Sequence, residues 1–271
     1  MTDANTPLVS VRDVSFSYGF EPVLKNISLD IFPRDYLAII GPNGGGKTTL
    51  LKLILGLLKP DSGQIIWSQP PGKRQSVQHQ IGYVPQFAVF EREFPLSVRD
   101  VILMGRLSGK LLWQKVSVED NDLTSEIIDN LGLAPLSDKP VGQLSGGQLQ
   151  RVMIARALVS NPEILFLDEP IASIDSDSRF RLSRILTELN RNIPIVVITH
   201  DITSFATDVA HIACVNRTLF YHGDAELASE CLEEAYGCPV ELVAHGVPHR
   251  VLQDHAQQQA KSSCSHRGKH K

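Results

Sequence analysis

The chain has 271 residues, 42% hydrophobic and 21% charged, which is enough for one large domain or two small ones with a substantial core. A formal net charge of −4 removes the electrostatic case for nucleic acid as a main partner. The four cysteines (Cys214, Cys231, Cys238, Cys264) form no C-x-x-C pair, against a zinc ribbon or disulfide framework, and no apolar run is long enough to span a bilayer.

The start, MTDANTPLVS, is polar and acidic and lacks the basic and apolar regions of a signal peptide. A cytosolic chain is expected, one that meets a membrane only through another subunit. Residues 8–31 alternate apolar and polar with Gly19 and Pro22 between the two runs, which predicts a pair of half-buried strands and a turn. Tyr18 ends the first strand; its ring is either a surface aromatic or a platform for a nucleotide base.

YLAII (36–40) reads as a short buried strand, and the apolar spacing from Thr49 onward reads as a helix. Between them stands GPNGGGKTT: Gly41, Pro42, Asn43, Gly44, Gly45, Gly46, Lys47, Thr48 and Thr49. The spacing fits the phosphate-binding P-loop pattern G-x-x-x-x-G-K-[ST]. Consecutive glycines let successive backbone N–H groups turn toward a polyphosphate. Lys47 brings a compact positive charge to the β- and γ-phosphates, and the Thr48 hydroxyl can ligate Mg²⁺. A helix beginning at the loop aims its positive dipole end at the same anion.

Pro60-Asp61-Ser62-Gly63 predicts a turn, QIIWS a strand, and residues 69–80 a polar loop. IGYVPQ (81–86) predicts another strand, ending in Gln86, which taken alone reads as solvated. From Phe94 to about Ser160 the pattern is mostly helical, with Ser97 and Ser117 as N-caps. Ser145 caps a further helix that Gly146 and Gly147 open, followed by Gln148, and this tip is a second ready anion site.

EILFLDEP (163–170) is a continuous apolar run of the central parallel-strand type, ending in Asp168 and Glu169. In an unbroken strand these two would point to opposite faces and could not share one task. A carboxylate near the P-loop threonine suits Mg²⁺, and the next is placed to orient or deprotonate water. An amphipathic helix from Ser178 leads to the buried strand IPIVVITH, ending in His200. That histidine is either a satisfied surface residue or a ligand at the strand ends where parallel sheets bind. HIACVN and TLFYHG predict two short strands, and residues 226–237 a helix. The tail from Ala244 holds five of the nine histidines and Cys264; it is too polar to bury a core and is expected to be mobile past about Gln253.

Together these motifs resemble the ATP-binding subunits of ABC transporters over about residues 8–240: the Walker A loop GPNGGGKTT, the glutamine loop YVPQ, the signature LSGGQ, the Walker B strand ILFLDEP, a D-loop ending in Asp175, and the switch histidine of VITH. The resemblance implies an α/β P-loop NTPase of ABC-cassette type. Its RecA-like mixed sheet core would carry an N-terminal antiparallel β subdomain and an inserted helical signature subdomain at about 94–160. The cassette would occupy 1–243, with a His-rich tail at 244–271.

Roles follow from the resemblance residue by residue. Tyr18 would stack on adenine, and Gly41 to Thr49 would hold the phosphates of ATP. Gln86 would touch Mg²⁺ or the attacking water and report nucleotide state to the membrane subunits. Ser145, Gly146, Gly147 and Gln148 would bind the γ-phosphate held by the other copy of a head-to-tail homodimer. Asp168 would assist Mg²⁺, Glu169 would be the general base, and His200 would contact the γ-phosphate. Asp175 would complete the nucleotide interface. The chain would sit on the cytoplasmic face of the cell membrane, bound to integral permease subunits through about Phe87 to Arg106. An extracytoplasmic metal-binding protein would deliver cargo. One departure is EPIASID in place of EPTSALD, which puts Ile171 and Ile174 where other residues are usual; Asp175 is kept, and activity is expected.

The runs LILGLLKPDSG and FEREFPLSVRDVILMGR resemble importer ATPases for zinc or manganese. Importers of iron-siderophore or cobalamin share the architecture, and a soluble ABC ATPase of iron–sulfur assembly carries the same motifs. DNA-repair relatives insert long coiled-coil arms, but fewer than a hundred residues separate Lys47 from Ser145 here. Cys264, His266 and His270 could chelate a metal.

Overall fold

The computed structural model describes residues 6–68, 81–86, 91, 94–107, 116–171, 174–200 and 209–224. The expected loop at 69–80, the helix at 226–237 and the His-rich tail with Cys264 lie outside them. Strands β1 (Val9–Tyr18) and β2 (Glu21–Ile31) form the expected antiparallel pair, with Val11 opposite Leu29. Further along the chain β4 (Ser62–Trp67) adds to the far side of β1, giving the order β2-β1-β4.

The larger sheet has the order β5-β6-β7-β3-β8-β9. Strands β3 (Tyr36–Ile40), β5 (Ile81–Val84), β6 (Ile164–Asp168), β7 (Ile195–Thr199) and β8 (His211–Asn216) run parallel. The last strand, β9 (Thr218–Asp224), returns antiparallel to β8. Continuous apolar strands are what such a sheet needs, because both of its faces are covered.

Alternation along each strand divides the side chains between two cores. Leu37, Ile39, Phe166, Val196, Ile198 and Val215 face helix α1 (Lys47–Ile54) and the antiparallel sheet. Ala38, Ile40, Leu167, Val197 and Cys214 face the helical side. There lie α2 (Val98–Leu103), α3 (Val118–Asn130), α4 (Gly146–Leu158) and α5 (Ser176–Asn190).

Each described α-helix after α1 starts on a side-chain cap. Ser97 with Asp100, Ser117 with Asp120 and Ser145 with Gln148 form reciprocal capping boxes, and Asp175 caps α5. Arginines tie the helices together. Arg99 donates to the Ser125 hydroxyl at 3.1 Å, and Arg106 pairs with buried Asp120 at 2.9 Å. Arg151 donates to the carbonyl of Leu131 just past α3, satisfying a terminal carbonyl. The mixed sheet, the antiparallel β subdomain and the helical side match the α/β architecture expected from the sequence.

Candidate functional site

The phosphate loop leaves β3 in the middle of the larger sheet, between β7 and β8. Two of its glycines are steric necessities. A Cβ on Gly41 (φ 151°) would overlap the Val215 carbonyl oxygen, and one on Gly46 (φ 95°) would strike the Leu24 side chain. Asn43 and Gly44 are exposed at the tip, while Gly45, Gly46, Lys47 and Thr49 are buried and Thr48 is half-buried.

Lys47 folds back on its own loop. Its ammonium donates to the carbonyls of Gly41 (2.9 Å) and Pro42 (3.0 Å), so the buried charge is hydrogen-bonded before any anion arrives. Burial lowers its pKa from the ordinary lysine value, against the pull of the Glu169 and Asp168 carboxylates.

Those carboxylates stand at the end of β6, one strand beyond β7. The Thr48 hydroxyl donates to Asp168 Oδ1 at 3.2 Å. Burial raises the Asp168 pKa, with the Thr48 hydrogen bond opposing it, Glu169 adding to it, and Lys52 and Lys47 opposing it. A hydroxyl and a carboxylate side by side, the latter penalised by burial, form the hard-oxygen donor set that suits Mg²⁺.

The strand does not continue through Glu169. That residue is left-handed (φ 49°), although its N–H still donates to the Ile198 carbonyl at 2.8 Å. Simple strand alternation therefore does not set its direction, because the unbroken strand on which opposite faces depended ends at Asp168. The turn brings its carboxylate 2.8 Å from Nδ1 of His200, the residue after β7. Gln86 is exposed two residues past Val84, which pairs with Leu167, and so lies at the same end of the sheet. Tyr18 is half exposed, its ring edge-on to Phe16 at 4.9 Å.

The second group gathers elsewhere. Ser145 N–H donates to Gln148 Oε1 at 3.0 Å, and Gln148 N–H to Ser145 Oγ at 3.4 Å. The cap thus occupies two of the donors expected for an anion and leaves the Gly146 and Gly147 amides unused by it. Gly147 serves packing as well: a Cβ there would fall 2.5 Å from Ser178 Oγ on α5. Asp175 accepts from Ser178 N–H at 2.9 Å, and that bond lowers its pKa. Ile171 and Ile174, the unusual D-loop residues, are buried in the helical-side core. Lys47, Thr48, Asp168, Glu169 and His200 are thus brought together, while Ser145 to Gln148 and Asp175 form a separate cluster where α4 meets α5.

Sequence reasoning missed Lys52, whose charge acts on Asp168, and Val215 and Arg217, whose backbones abut the loop. Lys52 was discoverable as one helical turn beyond Thr48. Val215 and Arg217 act through main-chain atoms, for which side-chain identity gives no signal.

Comparison with known proteins agrees with this geometry. The profile of the family described as ABC transporter matches residues 24–172. A Chlamydia trachomatis protein named "Probable metal transport system ATP-binding protein" is 37% identical over 238 residues, which is 86% of this chain and 91% of that one. The zinc uptake system ATP-binding protein ZurA of Listeria innocua is 35% identical over 224 residues, 80% of this chain and 86% of its own length. Among solved structures, a chain from a transporter described as of metal-chelate type, in an inward-facing conformation, superposes with a TM-score of 0.80 at 28% identity, covering 93% of this chain and 100% of that one. Phosphate loop, carboxylate pair and histidine on neighbouring strand ends, together with these matches over most of its length, establish the chain as an ATP-binding, ATP-hydrolysing subunit of the ABC transporter family.

Proposed function

We propose that this ATPase drives import of a divalent metal ion, zinc or manganese. It works on the cytoplasmic face of the cell membrane as a head-to-tail homodimer under permease subunits, which receive cargo from an extracytoplasmic metal-binding protein. The observation that carries the cargo is the likeness to metal-transport relatives over nearly their whole length. Residues 1–243 form the cassette in this reading, followed by a His-rich tail at 244–271.

The site residues take distinct tasks. The loop Gly41 to Thr49 wraps the phosphates, and Lys47 exchanges its loop carbonyls for phosphate oxygens, a short move for a charge already hydrogen-bonded. Thr48 and Asp168 would hold Mg²⁺, with Gln86 beside them; the ion supplies charge neutralisation on the phosphates when bound. Glu169 takes the proton of the attacking water, oriented by His200. Tyr18 stacks on adenine. Ser145, Gly146, Gly147, Gln148 and Asp175 act on the nucleotide of the partner copy, because their cluster is separate from the phosphate loop of its own chain.

The permease docks beside β5, where a cleft of about 400 Å³ is lined by Tyr83, Pro85, Met104, Arg106, Met153 and Arg156. Arg106 is committed to Asp120, while Arg156 is exposed. A second reading, import of a chelated metal, is favoured by the likeness to the metal-chelate type transporter. Reconstitution with the permease in vesicles separates the two. ATP-dependent uptake of radiolabelled zinc or manganese supports the first reading, uptake of a metal chelate alone supports the second, and uptake of neither rejects both.

A further inference from the structure

Among the described residues, three that are neither glycine, aspartate nor asparagine hold a positive φ: Arg34, Glu169 and Arg217. Such a backbone is strained in a residue other than glycine and persists only where its surroundings enforce it. Glu169 lies in the hydrolytic site. Arg217 (φ 61°) is the apex of the turn between β8 and β9, where Asn216 pairs with Thr218. The hairpin is irregular just before that apex, with a register shift between Cys214 and Val215. Bulges of this kind redirect a strand and concentrate beside functional sites.

Both irregularities face the phosphate loop. Arg217 N–H donates to the Gly45 carbonyl at 2.9 Å, and the Arg217 carbonyl accepts from Lys25 N–H at 2.7 Å. Val215 O lies where a Cβ on Gly41 would go and 3.0 Å from where one on Gly45 would, and Leu24, next to Lys25, closes under Gly46. The loop is thus wedged between the β8–β9 turn and β2. The Arg217 guanidinium is exposed, so the enforced conformation serves main-chain contacts rather than side-chain burial.

We propose that Arg217 is a positioning residue for ATP that acts through its main chain. Its left-handed peptide is a strut from β2 to the Gly45 carbonyl, and it sets the curvature that turns the loop's N–H groups toward the phosphates. Arg217→Gly and Arg217→Asn tolerate the left-handed region, whereas β-branched Arg217→Val resists it. Steady-state hydrolysis should give wild-type KM for the glycine and asparagine variants. Valine should raise KM about tenfold, the cost of one ordinary hydrogen bond, with kcat changed less than about twofold and an unchanged circular dichroism spectrum. A strut of purely structural value would lower Tm in the valine variant and leave KM alone, which overturns the proposal. Glycine as damaging as valine also overturns it, since the guanidinium would then be the active part. Should valine prevent folding, Arg217→Ala is read in the same way, with a several-fold rise in KM expected and a wild-type KM counting against the strut.

Discussion

His200 Nδ1 lies 2.8 Å from Glu169 Oε2, and the two partners differ in exposure: 6% for the carboxylate side chain and 48% for the imidazole. The pairing exists because β6 and β7 are neighbours in register, Asp168 opposite Ile198, so the residues just past their ends meet. A nearly buried carboxylate is thereby held by a group that is still half open to solvent.

Glu169→Gln should keep ATP binding and lose turnover by about two orders of magnitude or more, the scale of general-base removal. It should also accumulate an ATP-bound dimer, detectable by size-exclusion chromatography with light scattering. His200→Ala should lower kcat too, yet the double variant should be no slower than Glu169→Gln alone, because the two side chains act as one unit. Additive losses in single-turnover assays would show that the imidazole works independently.

Asp168 predicts a pH effect on the nucleotide-free protein. Its pKa is raised in the folded state above the ordinary 3.8, mainly by burial. Between the two values the folded protein binds the proton that the unfolded chain has released. The stability contributed is complete below 3.8 and is lost as pH rises through the raised value. Asp168→Asn escapes that loss. Its apo form should gain on wild type as pH rises, while its affinity for magnesium-ATP falls. Thermal denaturation across pH, without and with magnesium-ATP, checks both signs; an asparagine variant less stable than wild type in both conditions contradicts the account.

Gly147 packs where no side chain fits, against Ser178. Gly147→Ala should cost about 1–3 kcal/mol, the usual range for overpacking, and should slow hydrolysis by tilting the signature tip. Adding Ser178→Gly removes the atoms in the way and should recover most of the activity, despite the intrinsic helix cost of glycine. Absence of rescue would mean that the tip itself, not its seat on α5, is what the alanine disturbs.

Ser145→Arg should abolish hydrolysis while ATP affinity measured on the dilute monomer stays close to wild type. The reason is positional: Ser145 caps α4 through Gln148 and makes no such bond to the Gly41–Thr49 loop. Parallel loss of binding and turnover in equilibrium titration would place this residue on its own chain's ATP.

Much of this protein was written locally. The glycine spacing of Gly41 to Gly46, the alternation of residues 8–31, the apolar run before Asp168 and the serine-headed helix at Ser145 each predict their own element, because turn chemistry, period and capping act over a few residues. Family membership could be read from the same runs. Tertiary structure alone decided what meets across long separations. Lys47 turning onto its own loop, Glu169 leaving the strand to reach His200, Gly147 seated on Ser178 and the Arg217 peptide bracing Gly45 could not be inferred from side-chain type. Three of these four depend on backbone atoms or on the absence of a Cβ. Such groups are identical at almost every position, so only the register of neighbouring strands and the seating of one helix on another determine where they act.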